Sequence, residues 1–101
     1  MTILLGKDHR LFYYYGILNE SAAAKQLVEA DFKTIRSLVV QKKKTTNADD
    51  LMFIIKPSGS SRFGDSINLL DEMTICAIPG GHFAEIDITP VETRALDLLE
   101  K

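Results

Sequence analysis

Five consecutive apolar residues, Leu51-Met52-Phe53-Ile54-Ile55, lie between the polar stretch 45–50 and the turn formers Pro57-Ser58-Gly59-Ser60-Ser61. A strand with one wet face alternates apolar and polar residues. An unbroken apolar run of this length fits a strand buried on both faces. The residues that follow read as the rest of a crossover unit. A helical pattern runs from about residue 62 to 75, with Phe63, Ile67, Leu70 and Met73 or Thr74 on one face. Pro79-Gly80-Gly81 breaks it, and residues 82–88 then alternate, aiming Ala84, Ile86 and Ile88 at the core and Phe83, Glu85 and Asp87 outward. Strand 51–56, helix 62–75 and strand 82–88 therefore predict a right-handed βαβ unit with parallel strands.

Upstream, Thr2-Ile3-Leu4-Leu5-Gly6 and Leu11-Phe12-Tyr13-Tyr14-Tyr15-Gly16 flank the polar Lys7-Asp8-His9-Arg10 and read as a hairpin. Phe12 and Tyr14 point one way, Leu11, Tyr13 and Tyr15 the other, so both faces expect cover. Residues 17–31 are open between a helical turn at 21–26 and an irregular connection. Asp31 is an N-cap for a helix to about Lys44, with Phe32, Ile35, Leu38 and Val39 as its buried stripe. Thr89-Pro90-Val91-Glu92 is a capping box with proline at the first helical position; Val91, Ala95, Leu98 and Leu99 form the stripe of the terminal helix. The order β-β-α-β-α-β-α predicts an α/β (α+β) fold, a two-layer sandwich with a mixed sheet and helices mainly on one face.

The 101 residues make one domain, 1–101, with one modest core. A net charge of -2 argues against a nucleic-acid or anionic-membrane surface, since both need a basic field. Lys42-Lys43-Lys44 reads as the solvated end of a helix. Cys76 is the single cysteine, set among apolar neighbours, and reads as a small buried hydrophobe. No apolar stretch approaches the ~18 residues of a membrane span, and no signal peptide is evident.

Chemistry-bearing patterns are sparse. Gly80-Gly81 lacks the spacing of a phosphate loop and reads as a turn. His9 and His82 have no partner at metal-ligand spacing and read as surface histidines; no metal or cofactor is expected. Ser58, Ser60 and Ser61 lack the context of a nucleophile elbow. Asp71 and Glu72 are helix neighbours that point apart. Glu85 and Asp87 share a strand face about 7 Å apart, which suits a solvated or interface surface better than a catalytic pair. The chain is therefore not expected to be an enzyme. Tyr13 and Tyr15 fit packing, a protein interface or a stacking platform for sugars. Tyr13, Tyr15, Phe83, Glu85 and Asp87 are the candidate partner-binding residues.

Taken in order, four segments resemble the periplasmic domain of ExbD/TolR-type biopolymer transport proteins, in the Bacteroidetes style. These are the opening hairpin, Asp50-Leu51-Met52-Phe53-Ile54-Ile55-Lys56-Pro57-Ser58, Leu70-Asp71-Glu72-Met73, and Ala84-Glu85-Ile86-Asp87-Ile88-Thr89-Pro90-Val91-Glu92. The resemblance implies a single-pass protein at the periplasmic face of the inner membrane, in a complex that couples the proton-motive force to outer-membrane transport. Implied partners are a second copy, an ExbB/TolQ-type channel subunit and a TonB/TolA-type transducer. The proton-carrying aspartate of such proteins sits in a transmembrane helix that has no counterpart in these residues. Two other readings remain: a free-standing periplasmic glycan- or peptide-binding module using the tyrosines, and a small enzyme using Glu85 and Asp87.

Overall fold

The structure, a computed structural model, describes residues 1–16, 23–47, 51–59, 61, 63–76, 78 and 80–99. Strands β1 (Thr2–Leu5) and β2 (Leu11–Tyr14) pair antiparallel in the register Ile3 to Tyr13 and Leu5 to Leu11. A four-residue helix, α1 (Ala23–Gln26), leads into β3 (Val28–Ala30), and α2 (Phe32–Thr45) follows. β4 (Phe53–Pro57), α3 (Phe63–Ile75) and β5 (Phe83–Glu85) form the βαβ unit, and α4 (Pro90–Leu99) ends the described chain. The sheet order is β3-β2-β1-β4-β5. β1 with β4, and β4 with β5, are parallel; the other pairs are antiparallel. This is the mixed-sheet α/β sandwich that the sequence pattern predicts.

Strand β3 is an addition to the expected order. It falls in the stretch left open between a helical turn and a loop, of which residues 17–22 lie outside the described residues. Val28-Glu29-Ala30 has no alternation to announce a strand. Pairing with β2 makes it one, and Arg10 holds Glu29 at 2.6 Å.

The helix ends obey the capping rules. Asp31 accepts a hydrogen bond from the Thr34 N–H at 2.7 Å. The Thr89 backbone N–H donates to Glu92 Oε1 at 2.9 Å, and the Glu92 N–H donates back to Thr89 Oγ1 at 3.3 Å, closing the capping box.

Two cores form because both sheet faces are covered. On one face Ile3, Leu5, Leu11, Phe53 and Ile55 meet Ile35 and Val39 of α2 and Leu69 and Met73 of α3. Arg36 and Glu72 tie these two helices with paired bonds of 2.6 and 2.7 Å. On the other, Leu4, Phe12 and Tyr14 meet Leu27 and the α4 residues Ala95 and Leu96. The two longest helices thus share one face, and α4 covers only the β1–β2 part of the other.

That placement corrects three expectations. Met52 is 39% exposed and Ile54 only half-buried, so β4 is fully buried on the α2–α3 face alone. On α3 the buried residues are Asp65, Ser66, Leu69, Glu72 and Met73, while Phe63 is 80% and Ile67 44% exposed. The helix is rotated from the expected stripe: Leu69 and Met73 meet the sheet core, and Glu72 faces α2. On α4, Leu98 is exposed and Leu96 and Glu92 take the inward positions.

Candidate functional site

β5 is the last strand of the sheet. Ile54 pairs with Ala84 and Ile55 with Glu85, and the Ile86 N–H still reaches Ile55 O at 2.9 Å, so the ladder with β4 runs one residue past the strand. On its other side no described strand completes the pairing. A free strand edge offers a row of backbone donors and acceptors to another chain. Three of the expected partner-binding residues gather here. Phe83 departs from its expected outward position and packs, half-buried, against the α2–α3 core. Glu85 and Asp87 are exposed, as expected. Ile86 is 45% exposed although the alternation aimed it inward, because α4 leaves this end of the sheet uncovered.

Tyr13 and Tyr15 lie elsewhere. β2 is an inner strand, three strand spacings or about 14 Å from β5. The structure therefore does not join the tyrosines to Phe83, Glu85 and Asp87. Tyr13 is half-buried against the larger core, and the two rings meet edge-on with centroids 5.8 Å apart. Tyr15 is 47% exposed, with Lys42 Nζ 5.1 Å from its ring centre, at the rim of a cavity of about 210 Å³ with Leu38, Gln41 and Thr45.

A buried polar cluster that residue spacing alone did not reveal joins three elements. Glu92 of α4 is 2% exposed and accepts from Lys56 Nζ at 2.9 Å and from the Tyr14 hydroxyl at 2.7 Å. The Thr89 hydroxyl adds a third side-chain donor at 2.8 Å. Burial pushes the Glu92 carboxyl up, but these hydrogen bonds outweigh it and hold the group below its ordinary range. Burial and the bond to Glu92 push Tyr14 up to about 12. The cluster borders a cavity of about 400 Å³ lined also by Thr2, Ile54 and Val91. Both Glu92 oxygens are engaged, so the carboxylate ties α4 to the sheet. The detectable signals were Lys56 closing an apolar strand and Glu92 in its capping box.

His9 is likewise more than a surface histidine. Its Nδ1 lies 2.7 Å from Oδ1 of Asp65, which is 3% exposed in the first turn of α3. Asp8 and His9 have φ of 55° and 63°, and the Arg10 N–H closes the turn onto Lys7 O at 3.1 Å. His82 Nδ1 lies 2.7 Å from Leu51 O. Among the described residues no three His, Cys, Asp or Glu side chains converge as a metal-ligand set, and no helix is long and apolar enough to cross a membrane.

Comparison of the chain with protein-family models, with curated proteins and with solved structures found no match. Its function is accordingly read from its own surface.

Proposed function

We propose that this chain is the partner-binding periplasmic domain of an ExbD/TolR-type protein, acting in a proton-motive-force-coupled complex by contact and not by chemistry. The observation that carries the reading is the open edge of β5, with Glu85, Ile86 and Asp87 exposed beside it. A strand edge of this kind binds an extended segment through main-chain hydrogen bonds and reads its alternate side chains. The partners proposed are a second copy of the domain, the channel subunit and the transducer. The resemblance of the opening hairpin, β4, α3 and β5 segments to that family supports the assignment.

The test is site-specific photo-crosslinking in cells carrying the native gene. A crosslinker at Glu85 should capture the transducer or a second copy, and one at Lys33 on the exposed side of α2 should not. Capture from Lys33 alone would overturn the reading. The gene should also encode an apolar segment of about 20 residues with one aspartate ahead of this domain.

A second reading, a glycan- or peptide-binding module, is favoured by the exposed Tyr15 ring beside Gln41, Lys42 and Thr45. It requires saturable glycan binding that Tyr15→Ala weakens at least tenfold.

A further inference from the structure

Glu72 binds Arg36 and so marks the side of α3 that faces α2. At 3.6 residues per turn, positions 63, 67, 70 and 74 fall within about 40° of the opposite side. Leu70 of this stripe still packs on the core, whereas Phe63 is 80% and Ile67 44% exposed. α3 links β4 to β5 and lies over that end of the sheet, so the exposed stripe looks past the last strand. An unpaired strand edge and an unpaired apolar helix flank therefore lie on the same side of the molecule. One added strand would serve both.

Side-chain alternation along β5 sets what that strand must carry. Phe83 packs beneath the helices, so Glu85 and, one step on, Asp87 share the helix side, while Ala84 and Ile86 share the other. Residues opposite Glu85 and Asp87 meet carboxylates under an apolar overhang. Arginine and lysine suit that place: their aliphatic stems lie along apolar surface while the charged head reaches an acid, and a guanidinium also stacks on an aromatic face such as Phe63. Residues opposite Ala84 and Ile86 meet an apolar surface.

We infer that the segment docking on β5 is an extended chain that alternates arginine or lysine with apolar residues, its basic side chains set between the Phe63–Ile67 flank of α3 and the carboxylates of Glu85 and Asp87. This rests on the reading of β5 as the docking edge and names the chemistry of its partner.

Three synthetic twelve-residue peptides test it against the 101-residue chain: alternating Arg–Val, alternating Glu–Val and alternating Thr–Val. Amide chemical shifts locate binding and fluorescence anisotropy measures it. The Arg–Val peptide should shift the amides of residues 83–87 and bind at least tenfold more tightly than the other two. Glu85→Lys and Phe63→Ser should each weaken it severalfold or more, and Phe63→Ser should leave the fold intact because the ring is exposed. If Thr–Val or Glu–Val binds at residues 83–87 as tightly, the docking edge stands and the basic alternation is overturned. If no peptide moves those amides, both are overturned. Arg–Val binding that maps elsewhere on the chain also overturns the inference.

Discussion

Lys56 Nζ and Glu92 Oε1 meet at 2.9 Å across the boundary between the sheet and α4, with 13% and 3% of their side chains exposed. The pair bridges residues 36 positions apart. Breaking such a pair strands a charge in a place water barely reaches.

Glu92→Gln should therefore destabilise the chain by about 3–5 kcal/mol, since it leaves the Lys56 ammonium buried without its counter-charge. Lys56→Met should cost less, because Tyr14 and Thr89 still donate to the carboxylate. The double variant should lose at least about 1 kcal/mol less than the sum of the two single losses. Urea denaturation of the four proteins measures this, and simple additivity would show the pair uncoupled.

Tyr14 gives a prediction at high pH. Its folded pKa of about 12 exceeds its ordinary value of 10.0, raised by burial and by the bond to Glu92. The folded state favours the neutral phenol, so this contribution is complete below pH 10 and disappears as pH rises towards 12. The melting temperature of the native chain should fall more steeply across that window than that of Tyr14→Phe. Parallel slopes would show that the hydroxyl is not held as described.

The rotation of α3 predicts opposite outcomes for residues of similar apolar character. Leu69→Ala should cost about 2–5 kcal/mol, because Leu69 is fully buried between sheet and helix. Ile67→Ser should change stability by less than about 0.5 kcal/mol, its side chain lying on the exposed flank. Equilibrium unfolding of both variants decides the matter; similar losses would restore the stripe of Phe63, Ile67 and Leu70.

His9 tests strain against hydrogen bonding. A φ of 63° favours glycine, so His9→Gly relieves the backbone. It also removes the His9 partner of Asp65 Oδ1, leaving a buried carboxylate whose Oδ2 has no partner among the described residues. The second effect should win, with a net loss of about 1–3 kcal/mol. Asp8→Gly, at a φ of 55° and exposed, should be neutral or stabilising. If both glycine variants stabilise the chain, the His9–Asp65 bond contributes nothing.

Much of the architecture was legible from residue order alone. The hairpin, the Asp31 cap, the Thr89–Glu92 capping box and the βαβ unit all follow from rules that act over a few residues. Tight turns, caps and periodicity are local physics, so neighbours in the chain are enough to state them. Strand alternation, also local, put Phe83, Glu85 and Asp87 on one face but did not say which face meets the helices: Phe83 packs inward and Ile86 is exposed.

Other features depend on which surfaces meet after the chain has folded. Val28-Glu29-Ala30 becomes a strand because β2 offers it an edge, and nothing within those three residues requires it. Phe63 and Ile67 lie on a regular apolar stripe, yet burial of Leu69 and Met73 and the end of the sheet at β5 leave them in solvent. Periodicity states that a helix has an apolar side; only packing against other elements says whether a given stripe is that side. Tyr14, Lys56 and Glu92 are the furthest case. They come from three distant parts of the chain, and the low exposure that gives their contact its strength exists only once α4 has closed over the sheet.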